Sequence, residues 1–565
     1  MRAVVRGITA GTCTPRLYYA ASKLISSPCC WRSHRLYSNS NNRSEQKDLI
    51  LSVLRSTATK REARQYIARY NPRTSGSVFE RGSNDPEVRI ALIKVRNLGA
   101  FTQAETEGLG HTIRRLTKLG VSPIVIVDGG IERSMYLSKS GRPFRHYQRL
   151  ISRHAERVVR AIEKASPKMR ARAADNLFEV SDNMCSFDAT KDGLRLAFPH
   201  LLQTILFGGS VPVVTPIAYD SRAAEDKLVL ADDLLLSLAK ELTDATQSIA
   251  TKASVEKVIF VDPLGGIPSS QRMQDDGKYK ASHVYVNLEQ EMQDICAELR
   301  SGTQRLFLSK EESDTHLANL RAMQRCLSIT PLSSTGIITT PEVAALGSSR
   351  NPIIYNILTD RPVISPSLPV DTKRTPMLRT TILRRGMPIT CLKSSSPYEG
   401  LDLIKQDKIG AINLRRLWDL IEDSFGRKLD VEHYLNRVNG KVAGLIIAGD
   451  YQGAAIITWE HASNSHDYAV YLDKFAVKKS SQGGAGVADT IFKLMVMDMF
   501  PEEVIWRSRG NNPVNKWYFE RSKGTMKVPG TNWVMFWTGT DTRESTRSLE
   551  EYVRICQAIE PSFKT

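Results

Sequence analysis

Residues 471–500 read YLDKFAVKKSSQGGAGVADTIFKLMVMDMF, and this stretch decides the fold of the second half of the chain. Residues 471–477 are an apolar run of strand length, and 485–499 carry apolar side chains at helical spacing. The turn between them, 482–486, is rich in glycine, which lets backbone N–H groups and a helix N-terminus approach a phosphate group closely. Taken by itself, the turn is a weak signal that a simple tight connection explains equally well.

The elements around this stretch alternate between helices and strands. Residues 414–425 carry a helical stripe, and the apolar runs 442–447 and 454–458 flank a Gly-Asp turn, which is typical of a β-hairpin. A last strand is predicted over 504–509. The order of helix, hairpin, strand, glycine-rich turn, helix and strand predicts an α/β domain over 391–560.

The first half of the chain also alternates strands and helices. Buried strands are predicted at 88–95 and 123–127, and helical spacing follows over 147–162. Three further short apolar runs predict strands at 211–214, 257–262 and 336–340. The pattern predicts a three-layer α/β domain over 85–360 with a mainly parallel sheet. Residues 361–390, rich in Pro, Ser, Thr and Arg, are predicted as a linker.

The N-terminus has a composition of its own. Seven of residues 1–44 are Arg or Lys, none is acidic, and polar residues interrupt any continuous apolar centre such as a secretory signal needs. This composition predicts a mitochondrial transit segment over 1–44, followed by a polar leader over 45–84; a disordered tail is the alternative. The expected location is therefore the mitochondrial matrix.

Charge and cysteine usage narrow the class of function. Without the seven charges of the predicted transit segment 1–44, the formal net charge falls from +18 to +11. This moderate excess suits a small polyanion such as a cofactor with several phosphates, and the dispersed basic residues give no reason to expect nucleic acid. The eight cysteines show no CxxC or metal-ligand spacing, so neither a disulfide framework nor a metal site is expected. No apolar run reaches the length of a membrane span.

Several rare residue types in fixed order make the second domain more specific. They are LDKF at 472–475, WRSR at 506–509, Asn-Pro at 512–513 and WYF at 517–519. Together they resemble the acetyltransferase domain of the N-acetylglutamate synthases, within the GNAT superfamily. The basic leader and the upstream domain resemble the fungal mitochondrial members, so the resemblance covers nearly the whole chain. It implies acetyl transfer from acetyl-CoA to the amino group of L-glutamate, without a metal.

The resemblance implies that the strand and the glycine-rich turn bind acetyl-CoA. In the family pattern, Gln or Arg is followed at the third position by Gly and at the fifth by Gly or Ala, and this sequence departs from it: counting from Gln482 gives Ala485 and Val487, whereas counting from Ser481 gives Gly484 and Gly486. The register of the phosphate contacts therefore has two alternatives. The residues expected to bind acetyl-CoA are Phe475, Ala476, Val477, Gln482, Gly483, Gly484, Ala485 and Gly486.

The reaction needs groups that move protons. The substrate amine must lose a proton before it attacks the thioester carbonyl, and the departing sulfur needs a proton or stabilisation. The resemblance assigns the reaction to Asn512, which would orient the amine or its water, and to Tyr518, whose phenol would donate to the thiolate. The alternatives are a helix cap for Asn512 and a core aromatic for Tyr518.

Glutamate also brings two carboxylates. Arg507 and Arg509 alternate on one strand, so both side chains project from the same face, and arginine binds carboxylates through two parallel hydrogen bonds. A solvated face is the alternative. By the same resemblance Lys428 and Lys474 also bind glutamate, Lys474 either through its side chain or through its backbone.

The first domain resembles the amino-acid kinase fold of acetylglutamate kinases, but it differs where phosphate would bind. Residues 94–97 read KVRN instead of Lys-x-Gly-Gly, 230–232 read LAD instead of Asn-Ala-Asp, and the second glycine-rich loop survives as 128–130. Since bulky residues replace glycines that let a nucleotide approach, no ATP chemistry is expected. The resemblance implies instead a regulatory domain that senses L-arginine as feedback inhibitor and builds a homo-oligomer, with acetylglutamate kinase as a candidate partner.

Two other functions stay open at this point. The lost kinase loops favour a catalytically inactive arginine sensor or assembly subunit, which would bind without turnover. The second open function is acetylation of another amine, on a protein or peptide. Arg507 and Arg509 favour a dicarboxylate acceptor over such an amine.

Overall fold

The computed structural model describes most of the chain from Val88 onward. The described residues are 88–130, 142–180, 193–244, 253–270, 281–301, 306–347, 351–369, 379–461, 467–482, 486–539 and 549–564. The predicted transit segment 1–44 and leader 45–84 lie outside them, as do Gly483, Gly484 and Ala485 of the glycine-rich turn.

The first domain is built from short strands and the helices that cover them. Its strands are β1 (Val88–Arg96), β2 (Val121–Asp128), β3 (Arg170–Ala174), β4 (Phe178–Val180), β5 (Leu194–Leu196), β6 (Ser210–Val214), β7 (Ile217–Asp220), β8 (Glu225–Leu228), β9 (Ala253–Val261), β10 (Tyr285–Asn287), β11 (Thr335–Thr339) and β12 (Thr381–Arg384). Its helices are α1 (Gln103–Lys118), α2 (Arg142–Ala165), α3 (Pro199–Phe207), α4 (Ala231–Thr243), α5 (Leu288–Ser301), α6 (Lys310–Ile329), α7 (Pro341–Ala344) and α8 (Pro352–Thr359).

The larger sheet of this domain follows the predicted architecture. Within the described residues it has the order β10-β12-β11-β9-β1-β2-β6-β3, and its neighbouring strands are parallel except β11 and β12. Helices α4, α5 and α6 pack on the face that carries Ile90 and Leu92, and α1 and α2 cover the other face. Burial on both faces explains why residues 90–93 of β1 are consecutive apolar residues. The predicted α/β fold with a mainly parallel sheet is confirmed.

Residues 361–390 are only partly the linker that their composition predicts. Thr381–Arg384 forms β12, which pairs antiparallel with β11, where Ile382 lies opposite Ile337. Both Ile382 and Leu383 are buried. Strand β12 is four residues long and stands among Arg and Pro, so it carries too short a pattern to be recognised as a strand, and pairing to distant β10 and β11 stabilises it instead.

The second domain contains one mixed sheet. Its strands are β13 (Ile389–Lys393), β14 (Val442–Ala448), β15 (Gly453–Glu460), β16 (Ala469–Val477), β17 (Ile505–Arg509), β18 (Gly524–Lys527) and β19 (Trp533–Trp537). Its helices are α9 (Leu403–Lys408), α10 (Leu414–Phe425), α11 (Val431–Val438), α12 (Val487–Lys493), which continues as a π-helical turn over Leu494–Met499, α13 (Asn515–Arg521) and α14 (Leu549–Ala558). The predicted hairpin is β14 and β15.

The strands of this sheet alternate their side chains between two differently covered faces. The order is β13-β14-β15-β16-β17-β19-β18, and in the described part of the chain β16 and β17 are its parallel neighbours. Helices α12 and α13 pack on the face of Ile446 and Trp506, whereas α10, α11 and α14 pack on the face of Ile447 and Ile505. No helix among the described residues is long and apolar enough to cross a bilayer.

Candidate active site

A gap opens in the sheet between β16 and β17. The two strands are paired at Tyr471 and Ile505, and no further pair joins them in the described residues. On its other side β16 stays paired with β15 as far as Val477, opposite Gly453. The backbone N–H and C=O groups of β16 beyond Tyr471 therefore face a gap on the β17 side, where a ligand can satisfy them.

The glycine-rich turn leads from this gap into α12. Gly486 adopts the left-handed conformation (φ 70°) at the N-cap of α12, and no side chain of the described residues caps this helix end. The Gln482 side-chain amide donates to the Val477 carbonyl (2.9 Å) and so ties the turn to the end of β16. Uncapped N–H groups at a helix start suit an anion.

The three residues of β16 predicted to bind acetyl-CoA differ in which of their groups a ligand can contact. The Phe475 ring packs against Phe492 and Trp517, with centroids 6.4 and 5.8 Å apart. The side chains of Ala476 and Val477 are buried in the two opposite cores. Their side chains therefore leave only backbone groups to a ligand in the gap, and at Val477 the N–H already donates to the Ser424 hydroxyl (3.1 Å) and the carbonyl accepts from Gln482.

Tyr518 lies on α13 with its ring in the core of the α12 face. Its ring centroid is 5.4 Å from that of Trp506 and 5.5 Å from that of Phe536. No hydrogen bond joins its hydroxyl to any residue the structure describes. Burial raises the pKa of Tyr518, so the phenol stays protonated and able to donate at neutral pH. The core position and the expected role as proton donor are thus compatible.

Asn512 sits in the turn between β17 and α13. Its side-chain oxygen accepts from the Val514 N–H (3.1 Å), and its amide nitrogen donates to the Ser508 hydroxyl (2.9 Å). The contact with Val514 closes a turn ahead of α13, whose N-cap residue is Val514 and whose N–H groups no described side chain caps, so the structure does not show Asn512 as a helix cap, and its catalytic role stays a prediction.

Arg507 and Arg509 share a face, as strand alternation predicts. Both guanidinium groups lie over the Trp533 ring, at 4.4 and 5.7 Å from its centroid. Arg507 also donates to the carbonyl oxygens of Cys556 and Ile559, at and beyond the end of α14. Arg509 is exposed.

Lys474 belongs to a buried group of charges beside a β-bulge. The register of β15 against β16 shifts at Ile457, so Asp473 and Lys474 both face α11. The Lys474 ammonium donates to Asp473 (2.8 Å) and lies 4.6 Å from the Tyr434 ring centroid. Burial lowers the pKa of Lys474, and the Asp473 carboxylate opposes this shift.

Asp473 has further partners in this group. The Tyr434 hydroxyl donates to it (2.8 Å), and Arg437 forms a second ion pair with it. Burial by itself would raise the pKa of Asp473, but the charges of Lys474 and Arg437 outweigh burial and hold that pKa below its usual value. Asp473 is therefore an ionised, fully buried counter-charge for Lys474.

Lys428 lies at the margin of the site. Its side chain is 79% exposed and pairs with Glu422 (2.5 Å), while its backbone carbonyl accepts from the Lys564 N–H (2.9 Å). Of the cations predicted to bind substrate, Lys474 and Arg507 both donate to the residues that follow α14, at Ser562 and Ile559.

The predicted site residues thus occupy both faces of the sheet. Tyr518 and Phe475 belong to the face covered by α12, whereas Arg507 and Lys474 belong to the face covered by α11 and α14. The gap between β16 and β17 connects the faces. A cofactor on the α12 side and an acceptor on the other side would meet there.

Sequence reasoning missed two contacts near the site. Arg521, three residues after Tyr518, donates to the hydroxyls of Ser365 (2.8 Å) and Ser367 (2.7 Å) and to the Asp489 carboxylate on α12 (3.1 Å). The other contact joins the residues after α14 to the cations Lys474 and Arg507. Both join residues far apart in sequence, so no local motif announces them. No metal-binding group of His, Cys, Asp or Glu occurs in the described ranges.

Comparisons with known proteins agree with this architecture. The family model described as the N-acetyltransferase domain of N-acetylglutamate synthase matches residues 403–559. The mitochondrial amino-acid acetyltransferase of Yarrowia lipolytica is 46% identical, over 99% of this chain and 98% of its own. This chain belongs to the mitochondrial amino-acid acetyltransferases. The enzyme class and the mitochondrial location predicted from the sequence are thereby confirmed.

Further members of the family and a solved structure were also found. The mitochondrial amino-acid acetyltransferase of Debaryomyces hansenii is 35% identical, over 92% of this chain and 96% of its own. The N-acetylglutamate synthase of Neisseria gonorrhoeae, solved with coenzyme A and N-acetyl-glutamate, is 13% identical, with a TM-score of 0.43 over 85% of this chain and 97% of its own.

Proposed function

We propose that this amino-acid acetyltransferase transfers the acetyl group of acetyl-CoA to the amino group of L-glutamate in the mitochondrial matrix. The observation that carries the proposal is the gap between β16 and β17, with Tyr518 on one side and the cations Lys474 and Arg507 on the other. The match to the acetyltransferase domain of N-acetylglutamate synthase, residues 403–559, supports it.

The acetyl donor fits the features on the α12 side. The uncapped helix start at Gly486 suits the pyrophosphate of acetyl-CoA, and the open edge of β16 offers backbone partners to the amide groups of its pantetheine arm. Acetyl-CoA supplies the thioester whose carbonyl carbon accepts the amine. The side chain of Gln482, at the start of the turn, donates to the Val477 carbonyl at the end of β16.

The chain's own residues handle the protons and the acceptor. The neutral amine of glutamate attacks the thioester carbonyl carbon, the carbon–sulfur bond breaks, and the Tyr518 phenol donates its proton to the departing sulfur. The proton lost by the amine returns to the phenolate through water, and we assign the orientation of that water to Asn512. Arg507, Arg509 and Lys474 bind the two carboxylates, and Lys428 adds positive charge at the margin.

Packing of α12 on the sheet gives a test of the acetyl-CoA site. A Cβ at Gly453 would lie 2.6 Å from a methyl of Val487 and 2.8 Å from one of Ile491, so Gly453→Ala must push α12 away from β15. We expect a higher KM for acetyl-CoA and a loss of about 1–3 kcal/mol in the free energy of unfolding. Gly347→Ala, whose Cβ would meet no described atom within 4 Å, is the matched control. An unchanged KM for acetyl-CoA in the first variant would contradict this placement of the cofactor.

The first domain is proposed as a non-catalytic regulator. The buried Lys94 ammonium, at the carboxyl end of β1, already pairs with Asp232 (2.5 Å) and Asn319 (3.1 Å). A lysine neutralised in this way is not available to a nucleotide phosphate. We therefore assign to this domain the binding of L-arginine as an inhibitor and the formation of a homo-oligomer, with acetylglutamate kinase as a candidate partner.

The deciding experiment measures thiol release from acetyl-CoA by the purified chain with and without L-glutamate, and then with L-arginine, and identifies the product by mass. N-acetylglutamate whose formation falls on adding arginine is the expected result. Turnover with a different amino acid or amine and not with glutamate would refute the acceptor assignment. Arginine binding without any turnover, even with acetylglutamate kinase present, would favour a catalytically inactive sensor. This is the second candidate function, because Lys94 in the first domain is already paired with Asp232 and Asn319.

A further inference from the structure

The last described residues of the chain cross the face that carries the cations. Residues 559–564, here called the C-terminal strap, follow α14 and pair with the loop before α11. The Asp430 N–H donates to the Ser562 carbonyl (3.0 Å), and the Phe563 ring packs 4.9 Å from that of Phe425. A bridge between Leu429 and Phe563 makes the pairing antiparallel. The strap is therefore an ordered part of the fold in this structure.

The strap touches three of the four cationic residues proposed to bind the acceptor. The Lys474 ammonium donates to the Ser562 hydroxyl (3.3 Å). The Arg507 guanidinium donates to the Ile559 carbonyl, and the Lys428 carbonyl accepts from the Lys564 N–H. These contacts come from separate elements, β16, β17 and the loop before α11, and they converge on six consecutive residues.

The hydrogen-bond acceptors of the strap attract a cation less strongly than a carboxylate does. Ser562 and Ile559 present a hydroxyl and a carbonyl oxygen, which are neutral acceptors, whereas a carboxylate would add the attraction between opposite charges to the hydrogen bond. An ammonium has three donors and a guanidinium five, so Lys474 and Arg507 can hold the strap and still bind a carboxylate. The strap therefore orients these two cations and leaves some of their N–H donors for a carboxylate.

Ser562 is the residue of the strap best placed to do this. Its side chain is 4% exposed, and the ammonium it contacts is confined by Asp473 and by the rings of Tyr434 and Phe563. With Asp473 holding one donor and Ser562 a second, the direction of the third Lys474 donor is fixed. Loss of the hydroxyl would free the ammonium to turn without removing its charge.

We propose that the C-terminal strap forms a wall of the acceptor subsite, and that Ser562 is a positioning residue that directs the Lys474 ammonium toward a carboxylate of the acceptor amino acid. This inference rests on the proposed function for the location of the acceptor. The inference goes beyond the proposed function because it assigns part of the acceptor site to a segment that lies outside the strand and turn motifs.

The test compares Ser562→Ala with Ser562→Thr, which keeps a hydroxyl, in the full chain. We expect Ser562→Ala to raise the KM for the acceptor about tenfold, the loss of one hydrogen bond to a charged group, while kcat and the KM for acetyl-CoA stay within about twofold. Ser562→Thr should restore most of the loss. Ser334→Ala, which removes a buried hydroxyl that donates to the Val255 carbonyl in the first domain (2.7 Å), is the matched control and should leave the KM for the acceptor unchanged.

Each outcome decides the proposal. The unaltered chain is first assayed with a panel of amino acids, and the KM values refer to whichever acceptor it uses; failure of glutamate in that panel refutes the proposed function and leaves the strap testable. An unchanged acceptor KM in Ser562→Ala overturns the strap proposal. So does an equal rise in the KM for acetyl-CoA, or a rise in Ser334→Ala as well, since either would show a general effect on the fold.

Discussion

Tyr518→Phe is expected to lower kcat by a factor of about 10² to 10⁴, the usual contribution of a positioned proton donor. The ring would keep its contacts with Trp506 and Phe536, so the KM for acetyl-CoA and the free energy of unfolding should change little. Because burial raises the pKa of Tyr518, the phenol of the unaltered enzyme stays protonated through the neutral and mildly alkaline range. The variant should therefore be impaired throughout that range, and steady-state rates at several pH values measure this.

A second buried tyrosine supplies the control. The Tyr552 hydroxyl on α14 donates to Glu503 (2.7 Å), so Tyr552→Phe loses one hydrogen bond and should lower stability slightly while keeping kcat. Normal turnover of Tyr518→Phe at every pH would instead leave Tyr518 as a core aromatic, and another group would have to protonate the leaving sulfur.

Asp473→Asn is expected to lower the free energy of unfolding by about 3–5 kcal/mol at neutral pH. The substitution removes the carboxylate shared by Lys474 and Arg437; Arg437 keeps its pair with Glu460 (3.6 Å), whereas the buried Lys474 ammonium is left without a carboxylate among the described residues. Urea unfolding measures the loss. Asp450→Asn is the matched control, because its pair with Arg416 is at the surface and should matter little.

The difference in unfolding free energy between the unaltered chain and Asp473→Asn should depend on pH in a definite direction. The pKa of Asp473 is lower in the folded chain than the ordinary carboxyl value near 4, so ionisation of Asp473 stabilises the fold above that value. This contribution is lost as the pH falls from about 4 toward the folded pKa. The difference in unfolding free energy between the unaltered chain and Asp473→Asn should therefore be largest at neutral pH and shrink in acid; a difference independent of pH would contradict the charge assignment.

Periodicity predicted most of the fold because most elements bury a continuous stripe of their own residues. Strand β12 was missed since pairing with distant β10 and β11, not its own four-residue pattern, makes it a strand. In the site, residue types and alternation placed Arg507 and Arg509 on one face. The role of Asp473 and the contact of Ser562 with Lys474 depend on a bulge and on residues 88 positions apart, which no local spacing encodes.

The cluster around Arg521 limits how this enzyme can be recombined. Its guanidinium is buried and donates hydrogen bonds to Ser365 and Ser367, from the segment between α8 and β12 of the first domain, and to Asp489 on α12. A catalytic domain grafted onto a different partner domain would bring the arginine without its two hydroxyls. A functional chimaera should therefore need a first domain that supplies hydroxyl side chains at the positions of Ser365 and Ser367, because β12, which follows them in the chain, is itself a strand of the first domain's sheet.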